Sequence, residues 1–245
     1  MARFIKRLEN RQRNYGEILH TCGNCLIVKD SNGCYGITNG KTGIRKLDYG
    51  YIYPFSNGFA IVRLNGYYGF INECAQEIVK PIYDRVYDFF QGFAIIESNG
   101  KEGFVNARGK VIAEPKYDRV FAFRNGFARV ILDGKFGVIN KQGKEITEIK
   151  YDDVYDYSMD GFAKVILDGK FRIINEKGQE VTQKSYDEIL DFEGDFAKVE
   201  LNGKWGIINK NGEEIHPPKY DWIYYFDGYV AKVKKIFSVF PVNVK

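Results

Sequence analysis

Histidine, cysteine and long apolar runs are all scarce in this chain of 245 residues. Two histidines, His20 and His216, and four cysteines are its whole supply of imidazole and thiol groups. No Ser-His or Cys-His arrangement, phosphate-binding loop or dinucleotide fingerprint accompanies them. The chain therefore reads as a non-enzyme that needs no cofactor. Unevenly spaced cysteines do not build a disulfide scaffold. No stretch approaches the ~18 consecutive apolar residues that cross a bilayer, and residues 1–14 lack the apolar centre of a secretory signal. An intracellular protein with no membrane span is the expectation. Charge of one sign is missing too. Arg3, Lys6, Arg7, Arg11 and Arg13 against Glu9 account for the whole net charge of +4, and the remaining residues carry 31 cations and 31 anions. A broadly basic nucleic-acid binder is excluded by that balance.

What the chain does hold is glycine and aromatics, in a pattern that recurs about every 34 residues. GFAIVRLNGYYGFIN begins at Gly58, GFAIIESNGKEGFVN at Gly92, GFARVILDGKFGVIN at Gly126, GFAKVILDGKFRIIN at Gly161 and DFAKVELNGKWGIIN at Asp195. A degenerate copy starts at Cys25 and another at Tyr229. A second marker falls at Tyr15, Tyr49, Tyr83, Tyr117, Tyr151, Tyr186 and Tyr220, so both markers count seven units. Each Asn-Gly or Asp-Gly between alternating apolar runs signals a two-residue hairpin turn, because a type I′ turn needs φ > 0 at both central residues. Second turns follow at Asn106 to Gly109, Asn140 to Gly143, Asn175 to Gly178 and Asn209 to Gly212. A unit is thus a meander of three short strands, and the Tyr-Asp marker adds a turn plus a short strand. If Leu132 pairs with Lys135, then Ala128, Val130, Leu132, Gly137 and Ile139 share one face and Arg129, Ile131, Phe136 and Val138 the other. Both faces are largely apolar, which implies neighbouring units stacked on each side. The repeated glycine lies opposite a valine, where a missing side chain permits close approach.

The block at Asp195 to Asn209, followed by Lys219 to Ile223, resembles the WG-repeat family across roughly residues 15–240. That resemblance implies a binding or scaffolding module, mostly bacterial or carried by bacterial elements such as phage, with variable repeat number and no catalytic residues. The chain departs from the pattern where Tyr35, Tyr68, Phe136, Phe171 and Glu102 replace tryptophan and where Arg172 replaces the glycine. Arg172 is expected to reach past a small neighbour to solvent, the alternative being a ligand contact.

Asp84, Asp118, Asp152, Asp187 and Asp221 recur once per unit and read as turn-formers rather than paired acids, since Asp accepts backbone N–H bonds in turns. His20, Cys22, Cys25 and Cys34 offer a weak zinc-like spacing. Cys25 and Cys34 occupy repeat positions equivalent to Gly58 and Tyr67, however, so no metal is expected. Two rows of cations, Arg129, Lys164, Lys198 and Lys232, and Lys101, Lys135, Lys170 and Lys204, read as solvated charges before they read as a track for a polyanion. A row of aromatics, Tyr53, Tyr87, Phe121, Tyr155 and Tyr224, should point outward, either packing between units or forming a strip for a partner.

These observations predict an all-β chain: a basic cap helix over 1–14, then one domain over 15–245 of seven repeats of three to four antiparallel strands. Seven units suit a seven-bladed propeller, but degenerate ends and a cap suit an open superhelical stack, which is the expectation. The expected function is non-catalytic protein interaction or scaffolding. The alternative is a carbohydrate or small-ligand module using the aromatic strip. Another protein is the expected partner, with a glycan as the second choice. The partner-binding candidates are Tyr53, Tyr87, Phe121, Tyr155, Tyr224, Arg129, Lys164, Lys198 and Lys232.

Overall fold

The computed structural model describes residues 17–22, 25–38, 44–226, 230–235 and 238–243, with side chains omitted for Cys22, Cys25 and 225–243. The predicted cap helix lies outside the described residues. Every regular element among the described residues is a β-strand, so no helix there is long and apolar enough to cross a membrane. The chain forms two compact units, Met1–Ala122 and Phe123–Lys245. The first holds three four-stranded meanders over 17–47, 51–83 and 85–117. The second holds the hairpin 127–140 and meanders over 153–175, 188–220 and 222–243, seven in all among the described residues.

Turn chemistry sets each meander. Asn99 and Gly100 take φ of 53° and 72°, and Asp133 and Gly134 take 52° and 74°, the left-handed pair of a type I′ turn. Leu132 accordingly pairs with Lys135, and Val130 lies opposite Gly137, as the spacing predicts. The second turn is an Asx turn: Asn106 Oδ1 accepts from the N–H groups of Arg108 at 3.0 Å and Lys110 at 3.1 Å, substituting for a backbone acceptor. A third tight turn was not anticipated. At Asn57-Gly58 the N–H of Phe59 donates to Ser56 O at 3.0 Å, and the same geometry recurs at Asn125-Gly126. The Tyr-Asp marker does introduce a short strand. Tyr51–Ile52, Arg85–Val86, Asp153–Val154 and Glu188–Ile189 each form the outer edge of the meander that follows.

The first hairpin departs from the ungapped repeat. Val28, not Lys29, faces Gly36, because the loop around Asp30–Cys34 is longer than two residues. Cys25 therefore stands one position away from the Gly58 equivalence expected of it. His20 and His216 both lie in strands, Glu17–Cys22 and Glu214–Tyr220.

The repeated glycine makes room for backbone. In the meander over 85–117, Glu102 faces Tyr117 while Phe104 faces Ala113, so the partner strand bulges over Gly103. A Cβ there would sit 2.3 Å from Ala113 O and 2.7 Å from Pro115 N. Proline suits the bulge because that residue has no ladder partner to give an N–H to. In the two copies where Ile149 and Lys184 stand in place of that proline, buried Thr147 and Thr182, at the position of Ala113, accept from Val138 N at 3.0 Å and Ile173 N at 3.3 Å. Arg172, in the glycine position, does not simply run to water. Its Nε donates to Ser185 Oγ at 2.9 Å and its Nη1 to Glu180 at 2.5 Å. Glu102, in the aromatic position, accepts from Val120 N at 2.7 Å.

Gly103, Phe104 and Val105 are buried in succession. With a side-chain period of two, that requires cover on both faces. The cover is the next meander. Phe70, Val79 and Tyr83 pack against Phe89, Ala94, Ile96 and Val105, and Ile173 and Tyr186 pack against Ile189, Ala197, Val199 and Ile208. Polar stitches follow the same junctions. Tyr151 OH donates to Glu180 at 3.0 Å and Tyr186 OH to Glu214 at 3.1 Å. Burial and these carboxylates push both phenols up, as they push Tyr49, beside Glu77, up to about 12. The recurring aspartates cap turns, as anticipated: Asp84 accepts from Asn99 N and Asp187 from Asn202 N, each at 2.6 Å. Four of the five also meet a lysine of the preceding hairpin, among them Asp152 with Lys135 at 2.6 Å and Asp187 with Lys170. Those lysines hold the Asp152 and Asp187 carboxyls below their ordinary range.

Gly103→Ala is expected to cost ~1–3 kcal/mol through overpacking against the bulge, read as a lower urea midpoint. Gly50→Ala is the control. Its Cβ would meet only Arg63 O at 3.5 Å, so stability should stay level or rise by up to ~1 kcal/mol.

Raised phenol pKa values also fix a pH window. The folded chain holds these protons more tightly than the unfolded chain, whose tyrosines titrate near ~10. Their stabilisation is full below that pH and is lost as pH rises towards 12 and beyond. Absorbance at 295 nm should show Tyr151, Tyr186, half-buried Tyr49 and Tyr157, whose phenol burial also pushes up, ionising only with unfolding. A single titration of all 18 tyrosines near pH ~10 in the folded chain would contradict this.

Candidate functional site

A cleft of about 600 Å³ opens in the second unit, at the edges of successive meanders. Its position follows from strand alternation. Val154 in the edge strand Asp153–Val154 is fully buried, so the next residue, Tyr155, is turned outward and is 40% exposed. The Tyr155 N–H donates to Lys164 O at 2.9 Å, which fixes the ring beside the strand Phe162–Leu167. On that strand Ala163 and Val165 face inward and Lys164 faces the cleft. Its Nζ lies 5.2 Å from the Tyr155 ring centroid and 2.7 Å from Asp191 Oδ1. Arg129 is the equivalent residue of the preceding hairpin. It donates from Nη1 to Val154 O at 2.9 Å, and its Nε lies 3.2 Å from Asp156. Phe162 and Phe192, with centroids 5.7 Å apart, supply apolar wall.

Each carboxylate in this lining faces a cation: Asp156 meets Arg124 and Arg129, Asp191 meets Lys164, and Asp160 meets Lys210 at 3.5 Å. Ser158 is engaged with backbone, receiving the Phe162 N–H at 3.4 Å. Such groups offer fixed donors and acceptors beside aromatic surface, the chemistry of recognition.

Three of the anticipated residues, Arg129, Tyr155 and Lys164, meet here. The others do not join them. Lys198 is mostly buried and lies 3.8 Å from Glu193. Lys232 sits in strand Val230–Lys235, with its side chain outside the described residues. Tyr224 is exposed. In the first unit Tyr87 is exposed and Phe121 lies under the Arg119 guanidinium at 5.2 Å. Tyr53 lines a separate depression with Tyr51 and Arg63.

The pattern did not single out Asp156, Asp191, Phe162 or Phe192. The signal for the acids was present, since an aspartate directly follows the outward residue at Tyr87-Asp88, Tyr155-Asp156 and Leu190-Asp191. Asp156 and Asp191 turn Arg129 and Lys164 into ion pairs, so these two members of the cation row are not bare charges.

Of the zinc-like group, His20 stacks on Phe55 at 4.0 Å with Nε2 3.6 Å from Glu73. Cys34 is exposed and free. Cys22 and Cys25 are register partners whose side chains are outside the described residues. Among the described residues no three His, Cys, Asp or Glu side chains converge as metal ligands.

Comparison with solved structures finds Kluyveromyces lactis Hsv2, 15% identical, with a TM-score of 0.34 over 86% of this chain and 84% of that one. BamB from Moraxella catarrhalis is 12% identical, with a TM-score of 0.31 over 88% and 78%. A eukaryotic initiation factor is 13% identical, with a TM-score of 0.39 over 90% and 71%. Scores this low fall short of a shared fold. Among curated proteins none matches. The family model for the WG containing repeat, in contrast, matches six consecutive segments, 38–68, 68–101, 103–136, 136–171, 171–205 and 205–235. With most of its length so matched, the chain belongs to the WG containing repeat family.

Proposed function

We propose that this chain is a non-catalytic protein-interaction module and that the cleft around Tyr155 receives part of a partner polypeptide. The observation that carries this reading is the joining of aromatic surface, Tyr155, Phe162 and Phe192, to the ion pairs Arg129–Asp156 and Lys164–Asp191 in one opening of about 600 Å³. Tyrosine and arginine dominate interface hot spots because they combine large contact area with directional polar groups. Repeat membership supports the same reading, since stacked repeats present extended surfaces to partners.

A carbohydrate partner is the second reading, favoured by the exposed Tyr155 ring flanked by the Arg129–Asp156 pair. Sugars stack on such rings and bond to such pairs.

Affinity capture from host lysate should retain a saturable protein partner. Tyr155→Ala should weaken retention by about 30-fold, as loss of a hot spot does, while the far-ultraviolet circular dichroism stays that of the parent. Unchanged retention by this variant would overturn the assignment of this surface. Release by sugar and not by salt would transfer it to the second reading.

A further inference from the structure

The junction that opens the second meander breaks the repeat's own polar rule. In three later copies the residue after the marker tyrosine or its equivalent is an aspartate, and its backbone N–H donates to the first arm of the hairpin. These bonds are Asp84 N to Glu97 O at 2.9 Å, Asp152 N to Ile166 O at 2.8 Å and Asp187 N to Glu200 O at 2.8 Å. The carboxylate then accepts from the hairpin turn, from Asn99 N, Gly169 N and Asn202 N respectively. In the second meander the backbone bond is kept, with Gly50 N donating to Arg63 O at 2.8 Å. The turn is kept as well, with φ of 51° at Asn65 and 91° at Gly66. Only the carboxylate is gone.

Packing does not demand this glycine. A Cβ on Gly50 would meet nothing nearer than 3.5 Å, and its φ is not in the left-handed region. The space instead forms a depression of about 560 Å³ lined by Gly50, Tyr51, Tyr53, Arg63, Asn65 and Gly66. Arg63 is the second departure. The equivalent positions hold Glu97, Ile166 and Glu200, so a cation stands here where the other copies have an acid or an aliphatic group. Arg63 is exposed, has no ion pair among the described residues, and has its guanidinium 5.6 Å from the Tyr68 ring centroid. Cys34 holds at this junction the position from which Lys135 faces Asp152, as Tyr67 does at the junction of Asp84.

We infer that Gly50, Arg63, Asn65 and Gly66 form a site for a carboxylate supplied from outside the fold. The ligand's oxygen takes the position of the repeat's own aspartate against the Asn65 N–H. Arg63 provides the countercharge, and Tyr51 and Tyr53, edge to face at 4.7 Å, contact the stem that bears the acid. Guanidinium and backbone N–H groups together are the donor set that binds carboxylates through charge-assisted bonds. The inference does not depend on the cleft around Tyr155.

The test is an amide chemical-shift titration of the full chain. N-acetyl-aspartate amide presents a side-chain acid and N-acetyl-glycylglycine a terminal one; the neutral amide of each is the control. The Asn65 and Gly66 amides should move saturably with at least one acid and with neither control, and the better acid identifies the source of the carboxylate. Arg63→Gln should weaken that binding about tenfold. Gly50→Asp, which restores the internal carboxylate in a space that admits it, should abolish binding and raise the thermal midpoint. Equal shifts with acids and amides, or no shifts, would overturn the site, as would Gly50→Asp binding like the parent. Should Gly50→Asp not fold, undiminished binding by Arg63→Gln would have the same force.

Discussion

Burial on both faces of a sheet only a few strands wide is the constraint from which the rest of this molecule follows. Gly103, Phe104 and Val105 are buried one after another, and strand geometry sends alternate side chains to opposite sides. A single meander of this kind has no way to cover itself. Each must borrow a neighbour's apolar face, and the cluster joining Phe70 and Val79 to Ala94 and Ile96 shows one such loan within the first unit.

Stacking also governs the polar groups. A side chain at a junction must find its partner there or reach a rim, since unpaired burial is costly. Tyr151 and Tyr186 do the first, driving a ring into the apolar layer and ending on Glu180 and Glu214 of the following meander. The aspartates do the second, joining a turn N–H to a lysine at the exposed edge. Such exposed pairs add little stability individually. Their effect is on register, because each fixes one meander's turn against its neighbour's hairpin.

Much of this was legible because the determinants are local. Asn-Gly and Asp-Gly specify type I′ turns by backbone sterics alone, so the Leu132 to Lys135 pairing could be read from spacing. The apolar alternation then assigned both faces. What resisted was anything requiring knowledge of which residues meet across a junction. The row holding Arg129 and Lys164 was visible, but Asp156 and Asp191 lie 27 residues further on in each case and become partners only when the next meander docks. The first hairpin was misaligned by one residue because its loop carries Asn32-Gly33 like the two-residue turns but holds one residue more between Lys29 and Tyr35.

Departures from a repeat are informative in proportion to how well the surroundings compensate for them. Arg172 replaces the glycine under the third strand, yet Ser185 and Glu180 receive its guanidinium and threonine takes over the bulge's hydrogen bond. Glu102 replaces an aromatic ring, and its carboxylate is spent on Val120 N. Both changes are closed within the fold and leave nothing over for a ligand. Gly50 is of a different kind. It removes an acceptor without removing the donor, and the nearby change, to Arg63, adds a cation rather than relieving one. A donor and a cation left together without an acid are accounted for by a partner that brings the acid with it.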